Sequence, residues 1–166
     1  MTSIAVRANF FDASALVKYH CDEPRSDVLR AYFNSQSTKY TTPFCFYEAM
    51  NVLKGKWKNK RQIDRKDYLL AASHLTSWYG ASSANIKDLD FTSPLIFNNA
   101  RKLVERTELD LSDAFQILSV KDGYFSPLAQ ESQTILVTAD KLLAKAAREE
   151  GLRVWYLMEE PAPFEL

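Results

Sequence analysis

Glycine, cysteine and histidine are scarce in this chain of 166 residues, which has four, two and two of them. No Gly-x-Gly-x-x-Gly run follows the first apolar stretch, so the chain lacks the turn that lets backbone approach a dinucleotide pyrophosphate. Two cysteines, Cys21 and Cys45, are too few for a disulfide framework. With no histidine near it in sequence, Cys45 reads as a buried, inert thiol. His20 closes one helical stretch and His74 lies inside another, with no pairing pattern for acid–base work. No apolar run reaches the length of a membrane span, and none precedes Phe10 that would serve as a signal peptide. A cytoplasmic location is therefore expected. Net charge is missing too, with 21 basic against 21 acidic residues. That argues against a chain gripping nucleic acid over its whole surface, and it leaves room for a basic stripe balanced by an acidic site.

What is present is an ordinary globular composition, 46% hydrophobic and 25% charged, at single-domain length. One domain is expected over residues 1–158, followed by an acidic, proline-containing tail at residues 159–166. Ile4, Val6, Ala8 and Phe10 alternate with Ala5, Arg7 and Asn9, which predicts a strand whose end is fully buried. Asp12 follows it, and Ser14 reads as the cap of a helix beginning at Ala15. A second helical stretch carries Val28, Leu29, Tyr32 and Phe33, and residues 39–42 form a short β-prone stretch. Pro43 then opens a long helix with an apolar face of Phe44, Tyr47, Met50 or Val52, Leu53 and Trp57. From Lys54 this segment turns basic. Lys54, Lys58, Arg61 and Arg65 share one face if the helix continues that far, although Asp64 reads more naturally as the start of a new helix through Tyr68, Leu69, Ala72 and Leu75.

Residues 86–89 suggest a short strand, and Thr92 or Ser93 before Pro94 a helix start with Leu95, Ile96, Asn99, Leu103 and Val104 on its face. Ser112 reads as the cap of a helix beginning at Asp113. A loop holding Gly123, Ser126 and Pro127 follows. Residues 134–138 are the clearest strand, a helix follows Asp140 and stops at Gly151, and residues 152–157 form a last strand. Strands alternating with helices predict an α/β fold with a mostly parallel central sheet covered on both faces.

Four acids fall at element ends: Asp12, Glu48, Asp113 and Asp140. In a parallel sheet, residues just past the strands' carboxyl ends converge on one rim. Two unit charges about 4 Å apart repel by roughly 4 kcal/mol at an effective dielectric near 20, so four such carboxylates need a proton or a cation. A hard divalent ion with oxygen ligands suits them, and the lack of His or Cys donors argues against zinc.

Phe11-Asp12-Ala13-Ser14-Ala15-Leu16-Val17-Lys18, then Glu48-Ala49-Met50-Asn51-Val52-Leu53, then Leu111-Ser112-Asp113-Ala114-Phe115, then Leu136-Val137-Thr138-Ala139-Asp140-Lys141-Leu142-Leu143-Ala144 resemble, in order, the four motifs of a PIN domain. The wording is most similar to the VapC-type toxin ribonucleases. The resemblance implies a three-layer α/β/α sandwich and a Mg2+- or Mn2+-dependent endoribonuclease. Asp12, Glu48, Asp113 and Asp140 would be its catalytic and metal-holding acids, with Ser14 and Thr138 steadying them. It also implies a cognate antitoxin protein and a homodimer. Ala139 stands where many members have asparagine, and Lys141-Leu142-Leu143 where many carry a further acid, so a single tightly held ion is expected. The acids, with no histidine pair, point to a metal-activated water attacking phosphorus in line and leaving 5′-phosphate and 3′-hydroxyl ends. The basic residues Lys54, Lys58, Arg61 and Arg65, with Trp57 beside them, are the expected path of the RNA backbone. The competing reading is a PIN-like module, weak in catalysis, that binds RNA or protein.

Overall fold

A computed structural model of the chain describes residues 7–81, 89–130 and 134–163. The elements run β1 (Ala8–Phe11), α1 (Ala13–His20), α2 (Ser26–Ser35), β2 (Lys39–Tyr40), α3 (Pro43–Lys58), α4 (Arg65–Gly80), α5 (Pro94–Arg106), α6 (Leu111–Asp122), α7 (Ser126–Gln130), β3 (Thr134–Thr138), α8 (Lys141–Glu149) and β4 (Arg153–Tyr156). The described strands form one sheet in the order β2-β1-β3-β4, with every pair parallel. Every residue of β1 and β3 is buried. Burial on both sides of the central strands requires helices on both faces, giving the α/β/α layering the alternation predicts.

This double burial also explains why β1 does not alternate as expected. Asn9 is as buried as Phe10, and its amide donates to the Thr38 carbonyl at 3.1 Å while its oxygen accepts from the Tyr32 hydroxyl. A polar side chain is tolerated there because it is satisfied, and it ties β1 to the chain entering β2. Ile4 and Val6 lie outside the described residues, as do residues 86–88 of the proposed short strand.

Several local expectations are corrected by capping chemistry. Helix α1 begins at Ala13, capped by Asp12, whose carboxylate accepts the Ala15 N–H at 2.7 Å. Ser14 is therefore inside the first turn and is not the cap. Likewise α6 begins at Leu111, capped by Asp110 in place of Ser112. Asp64 caps α4, and α3 stops at Lys58, with Arg61 in a left-handed turn at φ 51. The basic run is thus split over two helices and their turn. The segment read as a loop around Ser126 contains the short α7.

The helical faces are also shifted from the expected ones. Tyr47, Leu69 and Leu95 point outward, and Cys45, Ala49 and Leu53 form the buried line of α3. The core gathers Phe10, Leu16, Leu29, Leu53, Ile117 and Leu136 around the central strands. Leu136, fully buried in β3, is expected to lose about 2–5 kcal/mol on Leu136→Ala. Leu142→Ala, at an exposed position of α8, should stay within about 0.5 kcal/mol of the parent. Urea unfolding with an unchanged slope checks both.

Candidate active site

Pairing of β1 with β3 decides where the first acid meets the last. Phe11 lies opposite Val137, and the Asp12 N–H extends the ladder to the Val137 carbonyl at 3.3 Å. Both strands leave the sheet at the same edge, so Asp12 and the Thr138-Ala139-Asp140 turn are neighbours. Two hydroxyls join them. Thr138 donates to Asp12 Oδ2 and accepts the Asp140 N–H at 2.9 Å. Ser14 donates to the Asp12 carboxylate, its oxygen 2.8 and 2.9 Å from Oδ1 and Oδ2, and accepts the Ala139 N–H at 2.9 Å. Asp140 in turn caps α8 by accepting the Leu143 N–H at 2.9 Å.

The other two acids come from helices. Asp113 sits in the first turn of α6, its N–H held by Asp110 at 2.9 Å. Glu48 lies in the second turn of α3. A buried glutamine that sequence reasoning missed ties them together. Gln116 Nε2 donates to Glu48 Oε2 at 3.0 Å and to Asp113 Oδ1 at 3.3 Å, while its Oε1 accepts the Ala13 N–H at 3.1 Å. Only this amide orientation satisfies one backbone donor and two carboxylate acceptors together. The available signal was its spacing, three residues and one helical turn after Asp113.

All four acids line one cleft of about 460 Å³, together with Lys18, Glu23, Val52, Lys56 and Gln116. Among the described residues none of the four forms an ion pair with a lysine or arginine. Their charge is therefore left to burial and to one another. Burial pushes Asp12 up to about 7, against the three hydrogen bonds that favour its charged form, and Asp140 adds to the rise. Asp113 is also raised to about 7, first by burial and then by Asp110, Asp140, Glu48 and Asp12. Glu48 is raised by burial as well. As the side chains stand, no three His, Cys, Asp or Glu groups among the described residues are gathered closely enough to hold a metal ion.

The basic residues expected to carry RNA sit elsewhere. Lys54 and Lys58 lie over the Trp57 ring, at 4.7 and 4.2 Å, and Trp57 stacks on Tyr68. Lys58, Arg61 and Arg65 line a different cleft at the turn between α3 and α4. The member of the basic run that enters the acidic cleft is Lys56, on the face of α3 that carries Glu48 and Val52 at four-residue intervals. Both histidines face a separate cleft that contains none of the four acids, where burial, with His74 and Arg30 adding, lowers His20 to about 4. Cys45 is fully buried, its thiol pushed up to about 12 by burial, so it stays an inert core residue.

Comparison with known proteins gives three findings. The family model described as PIN domain matches residues 10–149. A curated Arabidopsis thaliana relative, itself described only as an uncharacterized protein (At4g15545), is 28% identical over 111 residues; these make up 67% of this chain and 33% of that protein. This chain therefore spans about a third of the length of that relative. The crystal structure of PAE2754 from Pyrobaculum aerophilum is similar with a TM-score of 0.54 and 21% identity, covering 87% of each chain. That likeness concerns the fold alone.

The raised carboxyls give the metal-free protein a definite pH dependence. An aspartate whose folded-state value exceeds its unfolded value of about 4 binds its proton more tightly when folded. Its contribution opposes folding increasingly as pH rises from about 4 to about 7, then levels off. Asp113→Asn is therefore expected to raise the melting temperature in EDTA at pH 7–8 and to flatten its fall with pH. Thermal melts across pH 4–8 check this.

Proposed function

The chain belongs to the PIN domain family, a nuclease-type fold, and on the make-up of its acidic cleft we propose that it is a metal-dependent endoribonuclease acting as the toxin of a type II toxin–antitoxin pair. One observation carries this reading. Four carboxylates from four separate stretches line one cleft, and none is neutralised by a lysine or arginine among the described residues. A protein stabilised only by ordinary packing has no reason to keep such a cluster, because each buried like charge opposes folding.

Fit to a hard divalent cation rests on donor chemistry. Asp12, Glu48, Asp113 and Asp140 offer carboxylate oxygens only, the set suited to Mg2+ or Mn2+. Those four residues would hold the ion. When bound, the ion supplies a Lewis acid and a water of lowered pKa at the phosphodiester. The chain's own residues do the rest. Thr138 and Ser14 fix the Asp12 carboxylate and couple it to the Asp140 turn. Gln116 spaces Glu48 from Asp113 and anchors both to the start of α1. In the metal-free protein the Asp113 carboxyl is raised to about 7 by burial and by Asp110, Asp140, Glu48 and Asp12, so near neutral pH a proton and a cation compete for it.

The antitoxin partner, the homodimer and the VapC-like subtype rest on the wording of the four motifs. Lys54, Lys58, Arg61 and Arg65 would share in RNA binding only as an outer path, since they lie outside the acidic cleft. A second reading, a PIN module that binds without cutting, is favoured by the ungathered acids and by Asp12, whose oxygens are both engaged.

Incubation with single-stranded RNA separates the two. Cleavage is expected in Mg2+ or Mn2+, with 5′-phosphate ends, and none in EDTA. Asp113→Asn and Asp140→Asn should lower the rate about a hundredfold or more. The Mn2+-induced rise in melting temperature should fall with them. Full activity in EDTA, or a 2′,3′-cyclic phosphate on the product, overturns the reading.

A further inference from the structure

Glu23, in the turn between α1 and α2, is held from two sides. Lys18 Nζ lies 3.2 Å from its Oε2, and Lys56 pairs with its Oε1. Lys18 also donates to the Pro24 carbonyl at 2.9 Å. Its side chain is only 6% exposed, and a lysine buried to that degree needs partners. All three residues line the same cleft as the four acids. An ammonium has three donors, and the two bonds Lys18 makes to Glu23 and Pro24 leave one for whatever occupies the cleft.

The charge arrangement is unusual. Two ammonium groups share a cleft with four unneutralised carboxylates, yet both pair with Glu23 alone. Attraction to the larger anionic group would otherwise draw them in. Glu23 is held below the usual carboxylate range, because the hydrogen bonds and charges of Lys56 and Lys18 outweigh the opposing effect of burial. The pairing is thus firm at neutral pH.

We propose that Lys18 and Lys56 form a subsite for a backbone phosphate of single-stranded RNA beside the acid cluster, with Glu23 as the resident counter-ion that keeps both ammoniums out of that cluster. The identity of the ligand as RNA rests on the nuclease reading. A phosphodiester carries one negative charge and two free oxygens, as the Glu23 carboxylate does, so it can take over the same two donors. Lys56 lies eight residues after Glu48 on α3, about 12 Å along the axis. The subsite therefore holds a phosphate flanking the one at the acids and not the reacting one. Asp12, Glu48, Asp113 and Asp140 stay unpaired with either ammonium, and Lys18, Lys56 and Glu23 together leave a net positive charge in the same cleft.

Anisotropy of a fluorescein-labelled single-stranded RNA, about 12 nucleotides long, tests this on the full chain in EDTA and again in Ca2+ across a salt series. Loss of one phosphate contact flattens the slope of log K against log salt by about 0.7, which is about fourfold in affinity near 0.15 M salt. Lys56→Gln, which retains the Lys18–Glu23 pair, should show that loss, and Glu23→Gln should bind more tightly than wild type. Lys102→Gln, at an exposed position of α5, is the control for a general loss of charge. Unchanged affinity and slope in Lys56→Gln in both buffers overturns the subsite, as does weaker binding by folded Glu23→Gln. Should Glu23→Gln fail to fold, Lys56→Gln decides alone. Cleavage of the same RNA by wild type in Mn2+ is scored separately. Absent cleavage with the expected binding pattern removes the nuclease reading alone, and present cleavage with no pattern removes the subsite alone.

Discussion

Burying a carboxylate next to other carboxylates is the constraint around which this molecule is built. Asp12 is 1% exposed at the end of a central strand, where water cannot solvate it. It is held there because three donors converge on it: the Ala15 N–H and the hydroxyls of Ser14 and Thr138. These donors do not abolish the cost, since the carboxyl remains raised to about 7 by burial. A group kept at such a cost is stored potential for binding a cation or a proton, and clusters of this kind are characteristic of functional sites.

Helix caps do double duty in meeting that cost. Asp12 and Asp140 each cap the helix that follows their strand, which is worth about 1 kcal/mol apiece and places negative charge against a helix N-terminus. Asp113 is spared that role because Asp110 caps α6 instead. Chemically similar substitutions therefore differ in meaning. At Asp12 or Asp140 the removal of charge also disturbs a cap, whereas at Asp113 it relieves repulsion without disturbing a cap. The altered last motif fits this picture. Ala139 contributes its backbone N–H, which Ser14 accepts, so the stitching of the turn makes no demand on the side chain at that position.

Much of this is legible in the sequence. Apolar runs ending in Asp12 and Asp140 reveal strands whose carboxyl ends meet, because a parallel sheet leaves few other arrangements. Pro43, Asp64 and Gly151 mark helix ends through chemistry that is local in sequence. Ser14 and Ser112 fall inside a first turn for a local reason too: an aspartate two residues earlier caps the Ala15 or Asp113 N–H and starts each helix sooner. Gln116 and Lys56 were not legible. Their roles depend on which faces of α6 and α3 meet across the cleft, and that is settled by packing over long sequence separations. Tyr47 and Leu95 failed for the same reason, since a helical face defined by period alone carries a rotational uncertainty that only a neighbour removes.

A composition with no net charge conceals strong local polarity, and α3 shows how the two signs are kept apart. Glu48, Val52 and Lys56 lie along one face of that helix and line one cleft. At a spacing of four residues, a lysine would pair with Glu48 and neutralise it. At eight residues the two are about 12 Å apart along the axis, beyond direct contact, and Val52 fills the interval without offering charge. On the other side of the same helix Lys54 and Lys58 are occupied by the Trp57 ring. The helix thus delivers one acid and one base to opposite ends of a single cleft, and position 52 must stay uncharged for the acid to remain available.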